Sequence, residues 1–575
     1  MANYDSSHTG AVIDAAVTSV VAVDPVTTST SNLGLGATAL DSLTEDAGNY
    51  NVAVGVNAGT AVTTGDDNIA IGYAALDAMV SGERNIAIGS DALGGMTDTG
   101  NACDDNIAIG NDALLVAGSS SNVSHSNIAI GSDAGNDLTT GDGNIFLGLE
   151  AGDKTLLAGN TVVIGTNAAG GVMTAAANEN IAIGYTAMAV NTIGAGNVAI
   201  GGGALLGNIV GSYNTAIGYQ ALEDFVADTN NHGQNTCLGY QAGKTIDDGT
   251  GNTAIGSGAM NGGVVTGNDN VSIGVGSMAT LVTGASNIAI GNSTLASNTN
   301  VDQNIAIGNN ALSDSSSTSS SNNIAIGANS MDALGAQAST QNVCVGVDTM
   351  TTAHTGAASA NTCIGYQAGT GIQSSDDNVF VGFQAGAALT TGNKNVCIGY
   401  ETNVTTVNAD YQIAIGTNIS AASNDCVIGR SGTGNYITVN FDADADWDYS
   451  SDLRMKRNIQ NNILGLSFIN DLSTKTFQWK PPEEYPEEWE NWTYKKDADG
   501  NNVGEKIYPE MNDNVMHGMI AQEVKTALDT AGVDTFAGWS ENEKGVQSLG
   551  KVAFVIPLIK AVQELTAKVT ALENA

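Results

Sequence analysis

The sequence predicts a mainly β protein: a repetitive β-solenoid or β-roll rod, expected to be trimeric, followed by a small α+β C-terminal domain ending in a coiled-coil helix. Three observations carry this prediction. A five-residue string, NIAIG or a close variant, recurs from Asn32 to Gly429. Turns rich in Gly, Asn and Asp, such as TTGDDN and VTGNDN, separate the copies. The pattern stops after Gly429, and from about residue 451 Lys, Trp and Pro return.

The string is a short strand by its alternation. Its fourth position is always Ile, Leu or Val and reads as core. Its second admits Thr (Thr215, Thr236, Thr253, Thr362) and reads as shallower. The third, usually Ala, points the other way and is expected to approach another surface. Asn at the first position predicts an amide ladder from copy to copy. A second element, AL or AG, follows the Gly, as in GYQAL and GNDALL. The 23 closing glycines from Gly36 to Gly429 define 22 intervals, twelve of 17 residues and five of 19. Such spacing reflects discrete loop insertions between stacked coils. One unit cannot bury its apolar face alone, whereas stacked units can. About 23 coils at about 4.8 Å give a rod of roughly 110 Å over residues 32–429. With aromatics at only 5%, a single thin roll has little core, and association of chains is expected. Residues 430–450 read as one strand (NYITVNF) and an acidic connector.

Charge narrows the function classes. The 575 residues carry 18 Lys and Arg against 59 Asp and Glu, a net charge of −41. Only Arg84, Lys154, Lys244, Lys394 and Arg430 are basic before residue 450. This is the reverse of a nucleic-acid footprint, and it disfavours an anionic membrane surface. A divalent cation on the acidic face is the one ion the composition leaves open; no other cofactor is expected. No stretch approaches 18 consecutive apolar residues, so no membrane insertion is expected, and MANYDSSHTG has no signal-peptide pattern. Cys237, Cys344, Cys363, Cys397 and Cys426 are assigned to the third strand position with no C-x-x-C pair, and read as small buried thiols, not zinc ligands. No nucleophile elbow or phosphate loop is present.

The repeat resembles the head repeats of trimeric autotransporter adhesins, whose VAIG strands build left-handed parallel β-rolls. NTAIGYQAL, at 214–222, is similar to repeats of phage tail-fibre proteins. Within these coils Tyr219, Tyr240, Tyr366 and Phe383, each followed by Gln, are candidate glycan contacts, because exposed rings beside amides can stack on sugars. Packing at a roll corner is the competing reading.

The end of the chain carries a second resemblance. SDLRMK with NI, then FQW, HGMIAQEV and LIKAVQEL…LE occur in the order seen in the C-terminal intramolecular chaperone domain of phage tailspikes and endosialidases. The resemblance covers 451–575. It implies a domain that trimerises the upstream fibre and then cuts itself off with a Ser-Lys dyad, Ser451 as nucleophile and Lys456 as general base. Asp452, Arg454, Arg457, His517, Gln522 and Glu523 are the supporting residues of that motif. The chemistry is reasonable. A Lys base must be neutral, and Arg454 and Arg457 would lower the pKa of Lys456 by like-charge repulsion. Leu558, Val562, Leu565, Val569 and Leu572 fall at coiled-coil spacing.

Together these readings predict a homotrimeric tail fibre of a virion, made in the host cytoplasm, with residues 1–31 joining tail or baseplate proteins and the rod meeting a host-surface glycan or protein. A depolymerase acting between two carboxylates and a purely structural spacer are the alternatives.

Overall fold

In a computed structural model the chain divides into two compact units, residues 1–450 and 451–575. In the first, the structure describes residues 31–440 except 45–46, 98–102, 117–123, 227–232, 315–319, 336–337, 423 and 432–434. In the second it describes 459–481, 484, 493–496, 502–507, 515–541 and 545–575.

The first unit is a β-solenoid. Its main sheet has 24 strands, and all but the last pair in parallel, one strand per coil. Register is strict: Ala70 in strand Ile69–Ile71 lies between Ala53 and Ala87 of the neighbouring coils. The last strand, Asn435–Asn440, reverses and pairs antiparallel with Asp425–Arg430.

Asn at the first strand position forms the expected ladder. In Asn68 both the backbone N–H and Nδ2 donate to Oδ1 of Asn51, each at 3.0 Å, and Nδ2 also donates to the Gly82 carbonyl at 2.8 Å. The same pattern repeats at Asn270, Asn287 and Asn304. These buried amides are therefore satisfied by their neighbours in the stack, the condition for burying them at all. The glycine closing each strand is required on two counts. Gly89 has φ +140°, and a Cβ there would stand 2.1 Å from the carbonyl oxygen of Gly110.

The faces of the strand are the reverse of those expected from sequence. The third-position residues (Ala53, Ala70, Ala87, Phe146, Val163) are buried, whereas the aliphatic second and fourth positions stand half-buried or exposed, Ile71 at 37% and Leu238 at 44%. The interior of a one-strand-per-coil solenoid is too narrow for a branched side chain in most coils. Ala fits there because Leu or Met from the AL corner fills the remaining space, as with Leu76, Leu93 and Met188. At Phe146, Phe380 and Cys237 the corner is Gly. A Cβ on Gly152 would lie 2.4 Å from the Phe146 ring, on Gly386 2.4 Å from Phe380, and on Gly243 2.3 Å from the Cys237 sulfur. In these coils Gly in place of Leu is volume compensation across the core. All six cysteines are buried and none forms a disulfide; Cys426 is in register with Ile413, at the second strand position and not the expected third.

The second unit is small and mixed. Helix α1 (Leu466–Asp471), helix α2 (Ala521–Thr530) and helix α3 (Val555–Glu573) accompany two-stranded sheets, one pairing Lys475–Phe477 with Met516–Gly518. Phe468, Phe536 and Phe554 form its centre, with ring centroids 5.1–6.4 Å apart. Leu464, Val524, Ala527 and Leu528 pack around them. The N-terminus of α1 is met by α3: the Leu466 N–H donates to Glu564 Oε2 at 2.8 Å.

Candidate functional site

On the rod, the residues that follow the strand glycines place aromatic rings in columns. Tyr219 stacks on Tyr240 at 5.8 Å and 12°. Tyr366, Phe383 and Tyr400 form a second stack with centroids 5.4 and 5.1 Å apart. The glutamines form ladders beside them, Gln241 Nε2 donating to Gln220 Oε1 at 2.7 Å and Gln384 to Gln367 at 2.6 Å. All four glutamines hold φ between 51° and 56°. At the first stack Gln220 also donates to Glu223 Oε1 at 2.8 Å, and Lys244 Nζ lies 2.7 Å from Glu223 Oε2. Tyr400, Glu223 and Lys244 are additions that sequence reasoning missed. The neighbours of Glu223 and Lys244 in the repeat were the available signal.

Many carboxylates of the acidic turns act as brackets between coils. Asp142 accepts from the His125 N–H at 2.8 Å, Asp302 from Ala285 at 2.8 Å and Asp376 from Ser359 at 2.7 Å. Others stack in columns. Burial first, then Asp133 and Asp91, raises the pKa of Asp112 above the usual carboxylate range. Among the described residues no group of three or more His, Cys, Asp or Glu is arranged to hold a metal ion. No helix there is long and apolar enough to cross a membrane.

In the C-terminal unit, Ser451, Asp452, Arg454, Lys456 and Arg457 lie outside the described residues. His517 is exposed in strand Met516–Gly518, opposite Thr476. That strand pair borders an open cavity of about 510 Å³ lined by Thr474, Lys475, Thr476, His517, Gly518 and Met519. Gln522 and Glu523 follow in the first turn of α2, where Glu523 pairs with Lys475 at 3.3 Å. Lys475 therefore joins the His517 strand to the α2 carboxylate. It too was missed, because no motif in the sequence reveals which strand pairs with HGM. Gln522 is exposed, and its carbonyl accepts from the Thr526 hydroxyl at 3.0 Å. Helix α3 leaves Leu558, Val562, Leu565, Val569 and Leu572 exposed, the last at 78%.

Residues 451–533 match the family model described as chaperone of endosialidase. The C-terminal unit carries a chaperone-of-endosialidase domain. His517, Gln522 and Glu523 lie inside the matched segment, and α3 lies beyond it. No curated protein and no solved structure matched the chain. A long β-solenoid with this chaperone domain at its C-terminal end is the organisation of a phage tail fibre or tailspike.

Proposed function

We propose that the chain is a homotrimeric phage tail fibre that recognises a host surface, assembled by its chaperone domain, which then severs itself beside Ser451. The chaperone match behind a solenoid of 24 strands is the observation that carries this reading. A second observation supports assembly. The aliphatic residues at strand positions two and four form an exposed stripe along the rod, Ile71, Leu147, Ile290 and Ile398 among them. Stripes of this length belong at an interface. One that repeats at the coil spacing is matched in register only by another copy of the same repeat. Burying it would complete the core that a single chain leaves thin. The exposed seam of α3, with spacings of four and three residues from Leu558 to Leu572, offers a coiled-coil contact between the same chains.

In the cleavage step, the neutral amine of Lys456 takes the proton of the Ser451 hydroxyl as the oxygen attacks the adjacent peptide carbonyl. The C–N bond of that peptide breaks, its nitrogen leaves as an amine that takes the proton back from Lys456, and water hydrolyses the resulting ester to a carboxylate and the free Ser451 hydroxyl. Arg454 and Arg457 keep Lys456 neutral by repulsion. Their burial on assembly strengthens that effect, so cleavage follows trimer formation.

Intact mass and light scattering of the purified protein, beside Ser451→Ala, test both claims. The expected wild type is a cleaved trimer, and the variant an uncleaved trimer of the 58.1 kDa chain. A full-length species in both would remove the cleavage step. A monomer in both would remove the trimer.

A further inference from the structure

We infer that the rod corner at Gly202 and Gly203 is a notch that takes one neutral pyranose ring of a host-surface glycan between Tyr185 and Tyr219. The inference rests on the host-recognition reading above and gives it a ligand class and a place.

The residue after each strand glycine forms a column along the rod. Here the column runs Tyr185, Gly202, Tyr219, Tyr240, Ser257. Backbone bonds fix the order coil by coil: Gly203 N–H to Tyr185 O, Gln220 N–H to Gly202 O, Gln241 N–H to Tyr219 O and Gly258 N–H to Tyr240 O, all at 2.9 Å. One ring is missing from the ladder. Tyr185 and Tyr219 stand two coils apart, roughly 10 Å between attachment points, which leaves room for one ring. The floor of the gap is bare backbone. A Cβ on Gly202 would meet Tyr219 Cδ2 at 3.5 Å and nothing closer; one on Gly203 would meet Gln220 Cγ and Glu223 Oε1 at 3.6 Å. Tyr219, Gln220 and Glu223 therefore line one wall. The rings are open to solvent, Tyr185 at 66% and Tyr219 at 55%.

The second ladder lacks this opening. The outer neighbours of Tyr366 and Tyr400 are Val347 and Thr417, whose side chains occupy the adjacent places in the column. Its central ring, Phe383, has neighbours on both sides and is 37% exposed.

The chemistry favours a sugar. The C–H face of a pyranose stacks on the negative face of an aromatic ring, and the Gln220 amide and Glu223 carboxylate offer donors and acceptors to its hydroxyls. Lys244 balances the charge of Glu223. The rod as a whole is strongly acidic, so sialylated or uronic glycans are repelled and neutral ones are not. The column also contains Ser90, Asn111, Ser132, Asn292 and Asn309. Polar side chains of this kind do not belong in a sealed apolar seam, which places the column at the rim of the aliphatic stripe.

The test uses the full-length protein on an array of immobilised neutral oligomers (glucose, mannose and N-acetylglucosamine) beside sialylated and uronic ones. Gly202 is outside the left-handed region, so Gly202→Tyr adds the missing ring without backbone strain. Retention on at least one neutral oligomer should fall about tenfold or more in Gly202→Tyr and in Tyr219→Ala, and stay within about twofold in Tyr411→Ala, an exposed turn tyrosine outside the column. Gly202→Tyr should keep the thermal midpoint and oligomeric state of the wild type. Unchanged binding by Gly202→Tyr, retention on anionic oligomers alone, or retention on none overturns the notch. Adhesion to a panel of bacterial cells separates the two readings. If wild type and Gly202→Tyr adhere alike, the notch falls and host recognition stands. If the wild type adheres to none, host recognition itself falls.

Discussion

Ile69 pairs with Val52 and Ile86, each 17 residues away and one coil distant, whereas in the chaperone domain Glu564 reaches back 98 residues to the first turn of α1. The solenoid gathers its stability from near neighbours repeated many times. The chaperone domain gathers it from three aromatic rings that come together only when distant segments meet. Damage to the rod should therefore stay local, as in a one-dimensional array, and damage to the domain should spread through all of it.

The largest expected effect contrasts one substitution in each region. Gly89→Ala forces a Cβ against the Gly110 carbonyl in a left-handed backbone, a cost above about 4 kcal/mol. Phe468→Ala empties the centre of the chaperone domain, at about 3–5 kcal/mol. Hydrogen exchange should show lost protection confined to the coils beside residue 89 in the first variant. In the second, protection should be lost throughout the chaperone domain while the rod keeps its own. Spreading of the first loss along the whole rod would break the comparison.

A smaller effect comes from pH. His354 is buried in the rod, with Nδ1 3.1 Å from the Ser339 hydroxyl and Nε2 without a hydrogen-bond partner among the described residues. Burial lowers its pKa from 6.5 to about 4. The unfolded chain takes up the proton first as pH falls, so rod stability should decline between pH 6.5 and about 4 and level off below. The loss is at most about 3 kcal/mol. Thermal unfolding followed across that range should show the decline in wild type and a flatter profile in His354→Gln. The same profile in both would place the acid sensitivity elsewhere. The smallest effect is at the long-range contact. Glu564→Ala leaves the Leu466 N–H without its carboxylate and should cost about 1 kcal/mol, as for a helix cap, read as a lower denaturant midpoint for the chaperone domain with no shift for the rod.

Much of the rod was legible because each coil repeats the same message. The strand, the Asn column and the glycine stop all follow from residue types at fixed positions. The inward face was not legible from alternation, since a period of two says that faces differ and leaves open which one is inside. Ranking by hydrophobicity chose Ile over Ala, and the narrow interior chose Ala. The cysteines at that third position already pointed inward, and so did the pairing of large strand residues with Gly corners at Phe146 and Phe380. In the chaperone domain the motif order was readable, with His517 in strand Met516–Gly518 and Gln522 and Glu523 in the first turn of α2. The contribution of Lys475 was not, because it depends on which strand pairs with which.

The reversed strand Asn435–Asn440 has a consequence for the rod as a material. A parallel stack that ends on an open strand is a template on which another stack can grow, the hazard that exposed sheet edges pose. By running against Asp425–Arg430, the final strand offers an arriving coil the wrong polarity. The same repetition that lets the rod extend coil by coil is stopped by a single change of direction, and the length of the fibre is written into the chain instead of being left to polymerisation.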